Sequence, residues 1–126
     1  MKILVVDDDA PIRDLLKRLL SLHGYQVDTA CDGTEAVDQL QKKHYDLLLI
    51  DRFMPKMSGL DAVAVIRTSP RFKDLKILMV TQDSFTKDVN EAFEAGIDGY
   101  VVKPFDMNRL LKKVEGALLK SKGGVL

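Results

Sequence analysis

Apolar positions fall along this chain in two alternating rhythms. Five short runs, residues 3–6, 25–30, 47–50, 77–80 and 100–102, are rich in β-branched and other apolar side chains and have the length of strands. The first, third and fourth are apolar on consecutive positions, which fits strands covered on both faces in a parallel sheet. Between the runs the spacing becomes helical. Ile12, Leu15, Leu16, Leu19 and Leu20 fall at i, i+3, i+4, i+7 and i+8, and Met107, Leu110, Leu111, Val114 and Leu118 draw a second core-facing stripe near the C-terminus.

The boundaries carry chemistry of their own. Pro11 suits the first turn of the first helix, and Gly24 after His23 suits its left-handed end. Asp32 with Glu35, and Ser58 with Asp61, read as N-cap pairs opening the second and third helices, and Asp106 caps the fifth. The fourth helix is expected to start near Ser84 and close at Gly96. Strand and helix thus alternate five times, which with right-handed crossovers predicts an α/β fold, a parallel sheet wrapped by helices on both faces. Residues 121–126 read as a frayed end or the start of a linker.

Composition narrows the function classes. A chain of 126 residues, 46% hydrophobic, supports one core and a single domain. Nineteen basic and nineteen acidic side chains balance, so no general attraction to nucleic acid or to an anionic membrane is expected. The acids are skewed, 15 aspartates against four glutamates, although glutamate is the better helix former. The single Cys31 excludes an internal disulfide and a thiolate zinc cage, and points to a reducing compartment. No apolar run approaches the ~20 residues of a membrane span, and residues 3–6 are too short a core for a signal peptide. The expected location is cytoplasmic, without membrane insertion.

In an open parallel α/β sheet, ligands bind outside the carboxyl ends of the strands. Strand one ends in Asp7-Asp8-Asp9, strand three in Asp51, strand four in Thr81 and strand five in Lys103-Pro104, whereas strand two ends only in Ala30-Cys31. Carboxylates meeting at one sheet edge repel one another unless a cation sits between them, and hard oxygen donors suit Mg²⁺. With Lys103 and the Thr81 hydroxyl alongside, the edge is composed to stabilise a phosphoryl group in transfer.

In order along the chain, residues 3–8 (Ile-Leu-Val-Val-Asp-Asp), 47–51 (Leu-Leu-Leu-Ile-Asp) with Met54-Pro55 and Ser58-Gly59 behind them, Met79-Val80-Thr81, and 99–105 (Gly-Tyr-Val-Val-Lys-Pro-Phe) resemble the successive motifs of the two-component response-regulator receiver domain. The likeness spans residues 1–120 and is similar to stand-alone receivers of the chemotaxis and sporulation-relay types. It implies a flavodoxin-like, doubly wound, five-stranded parallel sheet of order 2-1-3-4-5 flanked by five helices. It further implies that Asp51 takes a phosphoryl group from a sensor histidine kinase or a histidine phosphotransfer domain. Asp8 and Asp51 would bind Mg²⁺ (or Mn²⁺) directly and Asp7 through water, with the backbone carbonyl of Phe53 completing the protein ligands. Lys103 would contact the phosphoryl oxygens, and its bond to Pro104 would be cis. Thr81 and Tyr100 would form a switch pair acting on the face of the fourth helix, fifth strand and fifth helix. That face would be read by a downstream protein target, from a monomer or a phosphorylation-dependent homodimer.

Each residue also has a plainer explanation. An acid at a strand-to-helix turn is by itself an ordinary cap, Thr81 a turn residue, Lys103 a solvated strand end, and Tyr100 packing. Four such explanations have to hold at once, and three aspartates in a row exceed what capping needs. His23 and His44 suit helix ends, Cys31 inert packing, and the methionines apart from Met54 the core. Gln82 and Phe53 flank Asp51 and are expected to make a phosphoform slow to form from small donors and slow to hydrolyse. Arg13, Lys17 and Arg18 give the first helix a basic face that suits an acidic phosphodonor. Acidic Asp88, Glu91 and Glu94 on the fourth helix oppose basic Arg109, Lys112 and Lys113 on the fifth.

Three other readings compete. The chain is a receiver cut from a longer DNA-binding or output-enzyme regulator; the tail after Lys120 is too short for an output domain, so signalling from this chain alone must be by contact. An aspartate-nucleophile phosphohydrolase needs a general acid two residues after its nucleophile, where this chain has Phe53. A flavin carrier needs a hydroxyl- and amide-rich loop after strand one, where it has three aspartates.

Overall fold

The computed structural model describes residues 1–82 and 86–119, with residues 86 and 87 described by their backbone alone. Strands β1 (Lys2–Val6), β2 (Gln26–Ala30), β3 (Leu47–Asp51), β4 (Lys76–Thr81) and β5 (Gly99–Val102) alternate with helices α1 (Ala10–Leu22), α2 (Gly33–Lys42), α3 (Gly59–Arg67), α4 (Thr86–Ala95) and α5 (Met107–Leu119). All strand pairs are parallel, in the order β2-β1-β3-β4-β5. This is the expected flavodoxin-like doubly wound sheet. The expected start of the fourth helix near Ser84 and the expected tail, 121–126, lie outside the described residues.

Strand alternation packs helices against both faces of the one sheet. Leu4, Val6, Leu48, Ile50, Ile77 and Met79 face α2, α3 and α4, whereas Ile3, Val5, Leu47, Leu49, Leu78 and Val80 face α1 and α5. That double burial is why β1, β3 and β4 are apolar at consecutive positions. Leu16 and Leu20 carry the α1 contact with Ile12 and Leu19 at its margin, but Leu15 is 43% exposed, so the buried arc of α1 is narrower than its leucine stripe.

The local signals at helix ends take their expected forms. The Asp32 carboxylate accepts from the Glu35 amide, the Ser58 hydroxyl from the Asp61 amide, and the Asp106 carboxylate from the Asn108 amide. Gly24 and Gly96 follow α1 and α4 with φ of 91° and 121°. Arg67 adds a staple that spacing did not announce. Its guanidinium donates to the carbonyls of Gly96, Phe72 and Leu75 and to the Asp98 carboxylate, tying α3 to the turn between α3 and β4 and to the turn between α4 and β5.

Candidate functional site

The carboxyl ends of β1, β3, β4 and β5 bring the polar residues together. Asp7 follows β1 and Asp51 ends β3; the β1–β3 register pairs Val6 with Ile50, so the two aspartates emerge side by side. One carboxylate oxygen from each of Asp7, Asp8 and Asp51 lies within 4.8 Å of the other two. Asp7 is 2% and Asp51 8% exposed, while Asp8 is open to solvent. From β5, Lys103 places its ammonium 3.2 Å from Asp7 Oδ2 and 3.4 Å from Asp51 Oδ1. The backbone holds that reach in place. Lys103 N–H donates to the Thr81 carbonyl at 2.7 Å, and the Lys103–Pro104 bond is cis as expected.

Charge at this edge is unbalanced. Burial, and then the neighbouring Asp7 carboxylate, push Asp51 above the ordinary aspartate range despite the opposing pull of Lys103. Burial works against the Lys103 charge, but Asp51 and Asp7 outweigh it and hold the ammonium above its ordinary value. Three hard oxygen donors facing one ammonium fit a small divalent cation such as Mg²⁺ or Mn²⁺. A close backbone approach shapes the floor. Gly59, the first residue of α3, donates to the Arg52 carbonyl at 2.7 Å, and a Cβ there would lie 2.0 Å from the Asp51 carbonyl oxygen.

Thr81 is buried at the end of β4, one position beyond Val80, which pairs with Asp51. Tyr100 stands two positions back along β5 from Val102, the residue paired with Thr81, and is half-buried, its ring meeting Phe93 of α4 edge-to-face at 6.1 Å with the Lys113 ammonium 5.6 Å from its centre. Gln82 is exposed, and Phe53 is 61% exposed at the mouth of the site.

Four readings change on contact with the structure. Arg13 is half-buried and donates to the Asp7 carbonyl at 2.7 Å, so the outward basic face of α1 reduces to Lys17 and Arg18. Cys31 is exposed instead of packed, its thiol 3.1 Å from a Glu35 oxygen, and that hydrogen bond raises its pKa. Met1 is 54% exposed, outside the core expected for it. Glu91 stays exposed but pairs with Arg52 at 3.2 Å, which removes one acid from the charge opposition between α4 and α5.

Arg52 is the residue that sequence reasoning passed over. It is 7% exposed, and it donates to the Asp88 carbonyl at 2.9 Å and to Glu91 Oε1 at 3.2 Å. The available signal was parity, because position 52 shares the sheet face of Leu48 and Ile50, which pack toward α3 and α4.

Comparison with known proteins decides the family. The sequence matches the family described as "Response regulator receiver domain" over residues 3–115. The chain belongs to the response-regulator receiver domain family. Among curated relatives of this receiver, the chemotaxis protein CheY of Pseudomonas aeruginosa is 41% identical over 116 residues, covering 91% of this chain and 94% of that protein. The response regulator MprA of Mycobacterium avium is 38% identical over 122 residues, covering 97% of this chain but 53% of that protein. The receiver thus spans nearly the whole of one relative and about half of the other. Among solved structures, the response regulator TrrA of Thermotoga maritima in complex with Mg²⁺-BeF superposes with a TM-score of 0.82 at 41% identity, covering 92% of this chain and 97% of that one. No helix among the described residues is long and apolar enough to cross a membrane.

Proposed function

We propose that this receiver accepts a phosphoryl group on Asp51 from the phosphohistidine of a kinase or phosphotransfer protein, and signals by changing the face of α4, β5 and α5. The observation that carries this reading is the convergence of Asp7, Asp8, Asp51 and Lys103 on one pocket, with Lys103 touching two of the carboxylates. An Asp51 carboxylate oxygen would form the new P–O bond as the P–N bond of the donor breaks, and the departing imidazole nitrogen takes up a proton. Lys103 would turn from its carboxylate partners to the phosphoryl oxygens, and the Thr81 hydroxyl would donate to the same group. Asp8 and Asp51, with Asp7 through water and the Phe53 carbonyl, would hold Mg²⁺, which when bound supplies charge neutralisation for the transferring group. The Mg²⁺-BeF complex of the Thermotoga relative supports a pocket that takes a divalent cation together with a phosphoryl-like group.

Tyr100, already packed on Phe93, would follow Thr81 and relay its movement to α4. The position two residues after Asp51 carries an exposed phenyl ring and no acid, which speaks for a signalling module without a turnover substrate, expected in the cytoplasm. The receiver would work either as a free-standing regulator contacting a protein target or within a longer regulator, the arrangement to which the half-length match with MprA corresponds. Intact-mass measurement after incubation with Mg²⁺ and phosphoramidate tests the reading. One phosphoryl adduct, sensitive to hydroxylamine and missing from Asp51→Asn, is expected; an adduct that persists in Asp51→Asn would overturn it.

A further inference from the structure

Arg52 joins the acceptor strand to α4 in a way that neither the carboxylate cluster nor the Thr81–Tyr100 pair requires. Its backbone is clamped on both sides, since its N–H donates to the Val80 carbonyl at 3.1 Å and its carbonyl accepts from Gly59 at 2.7 Å. The side chain therefore starts from a fixed origin immediately beside Asp51. It leaves on the opposite face of the sheet and crosses to α4, where one guanidinium nitrogen bonds the Asp88 carbonyl and another the Glu91 carboxylate. The Phe53 ring lies 5.5 Å from the guanidinium carbon, and the side chain is only 9% exposed, whereas Glu91 remains 53% exposed. A buried, forked donor with a carbonyl, a carboxylate and a ring around it is a geometric tie that a lysine cannot reproduce.

We infer that Arg52 is a positioning residue that couples the acceptor site to α4 through its bonds to Asp88 and Glu91. The inference rests on the phosphoryl-acceptor reading of Asp51 given above. A shift of α4 has to break or rebuild both bonds, so their strength enters the free energy of that shift. By linkage it also enters the affinity of the Asp51 pocket for a phosphoryl-like anion. The sign follows from the arrangement to which the bonds belong, one in which Lys103 pairs directly with Asp7 and Asp51. An anion at Asp51 competes for Lys103 and disfavours that arrangement, so weakening the Arg52 tie favours the anion.

The test is a titration of the full chain with beryllofluoride in saturating Mg²⁺, followed by amide resonances, for wild type, Arg52→Met, Arg52→Lys and Glu91→Gln. Methionine keeps the apolar stem and leaves Glu91 hydrated, so it strands no buried charge. Arg52→Met is expected to bind beryllofluoride about five- to tenfold more tightly, within the usual span of coupling between sites. Its ligand-free amides at residues 89–95 should be displaced toward the positions they take in saturated wild type. Arg52→Lys and Glu91→Gln are expected to move both readouts in the same direction by less. A merely structural role would lower the unfolding midpoint and leave the affinity where it was. Wild-type affinity with undisplaced amides in a folded Arg52→Met overturns the inference. If that variant does not fold, unchanged affinity in both milder variants overturns it. A wild type that does not respond to beryllofluoride overturns the acceptor reading and the coupling together, whereas failure of the coupling alone leaves the wild-type response intact.

Discussion

Asp51 and Asp28 are carboxylates on the same sheet with opposite surroundings. Asp51 meets two other aspartates and shares its ammonium with one of them, and its pKa is raised by burial and by Asp7. Asp28, on edge strand β2, accepts from the Tyr45 hydroxyl at 2.6 Å and lies 3.7 Å from Lys2 Nζ and 3.5 Å from Lys43 Nζ. Its pKa is lowered, first by the Tyr45 hydrogen bond and then, against burial, by the two lysines. Folding satisfies Asp28 and leaves Asp51 in excess negative charge. On the proposed function the missing counter-charge of Asp51 comes from outside the fold, and that contrast separates a site from a strut.

The largest break in the contrast acts through the backbone. Gly59→Ala drives a methyl into the Asp51 carbonyl and is expected to cost about 3 kcal/mol, read as a lowered urea midpoint, with Mg²⁺ affinity falling as the pocket distorts. Next come two identical substitutions with opposite signs. Asp51→Asn relieves repulsion and should stabilise the metal-free chain by about 1 kcal/mol at low salt, whereas Asp28→Asn should destabilise it by about 1 kcal/mol. Urea unfolding of both variants checks the pair, and a shared sign would dissolve the distinction between them.

Removing the hydroxyl in Tyr45→Phe should cost about 1 kcal/mol at neutral pH. Its effect depends on pH in a defined way. Because the folded pKa of Asp28 is depressed, its stabilisation is present above the unfolded aspartate value, about 3.9, and fades as the pH falls through the folded one. Tyr45 is shifted the other way, raised by burial and by Asp28, so its stabilisation is complete below about 10 and is lost as the pH rises beyond it. The difference between wild type and Tyr45→Phe in urea unfolding should therefore be flat between these limits and shrink at both ends. The smallest expected effect is at the mouth of the site. Phe53→Asn and Gln82→Ala should each speed formation and hydrolysis of the phosphoform by a few-fold in stopped-flow and decay measurements.

Much of this was legible in the sequence because it depends on local order. The alternation of apolar runs and stripes fixes which faces are covered, the caps at Asp32, Ser58 and Asp106 act within three residues, and Asp51 and Thr81 end strands while Asp7 and Lys103 follow directly on them. The family resemblance carried the strand order and the roles assigned to those residues. What spacing did not reveal are the long charged side chains that turn inward. Arg13 is expected on an outward basic face and Arg52 and Arg67 carry no signal in the spacing, yet each satisfies backbone carbonyls that only the assembled fold brings within reach. Tyr45 and Asp28 meet for the same reason, across 17 residues of chain. Cys31 and Leu15 err the other way, since apolar character alone does not say how wide the buried arc of an element is.

The most direct test of the central claim is the response of the full chain to Mg²⁺ and beryllofluoride in wild type and in Asp51→Asn, followed by amide resonances and tyrosine fluorescence. The account predicts a metal-dependent change in wild type that reaches Asp51, Thr81, Tyr100 and α4 and is lost in Asp51→Asn. A metal-dependent beryllofluoride response that survives in Asp51→Asn would contradict it.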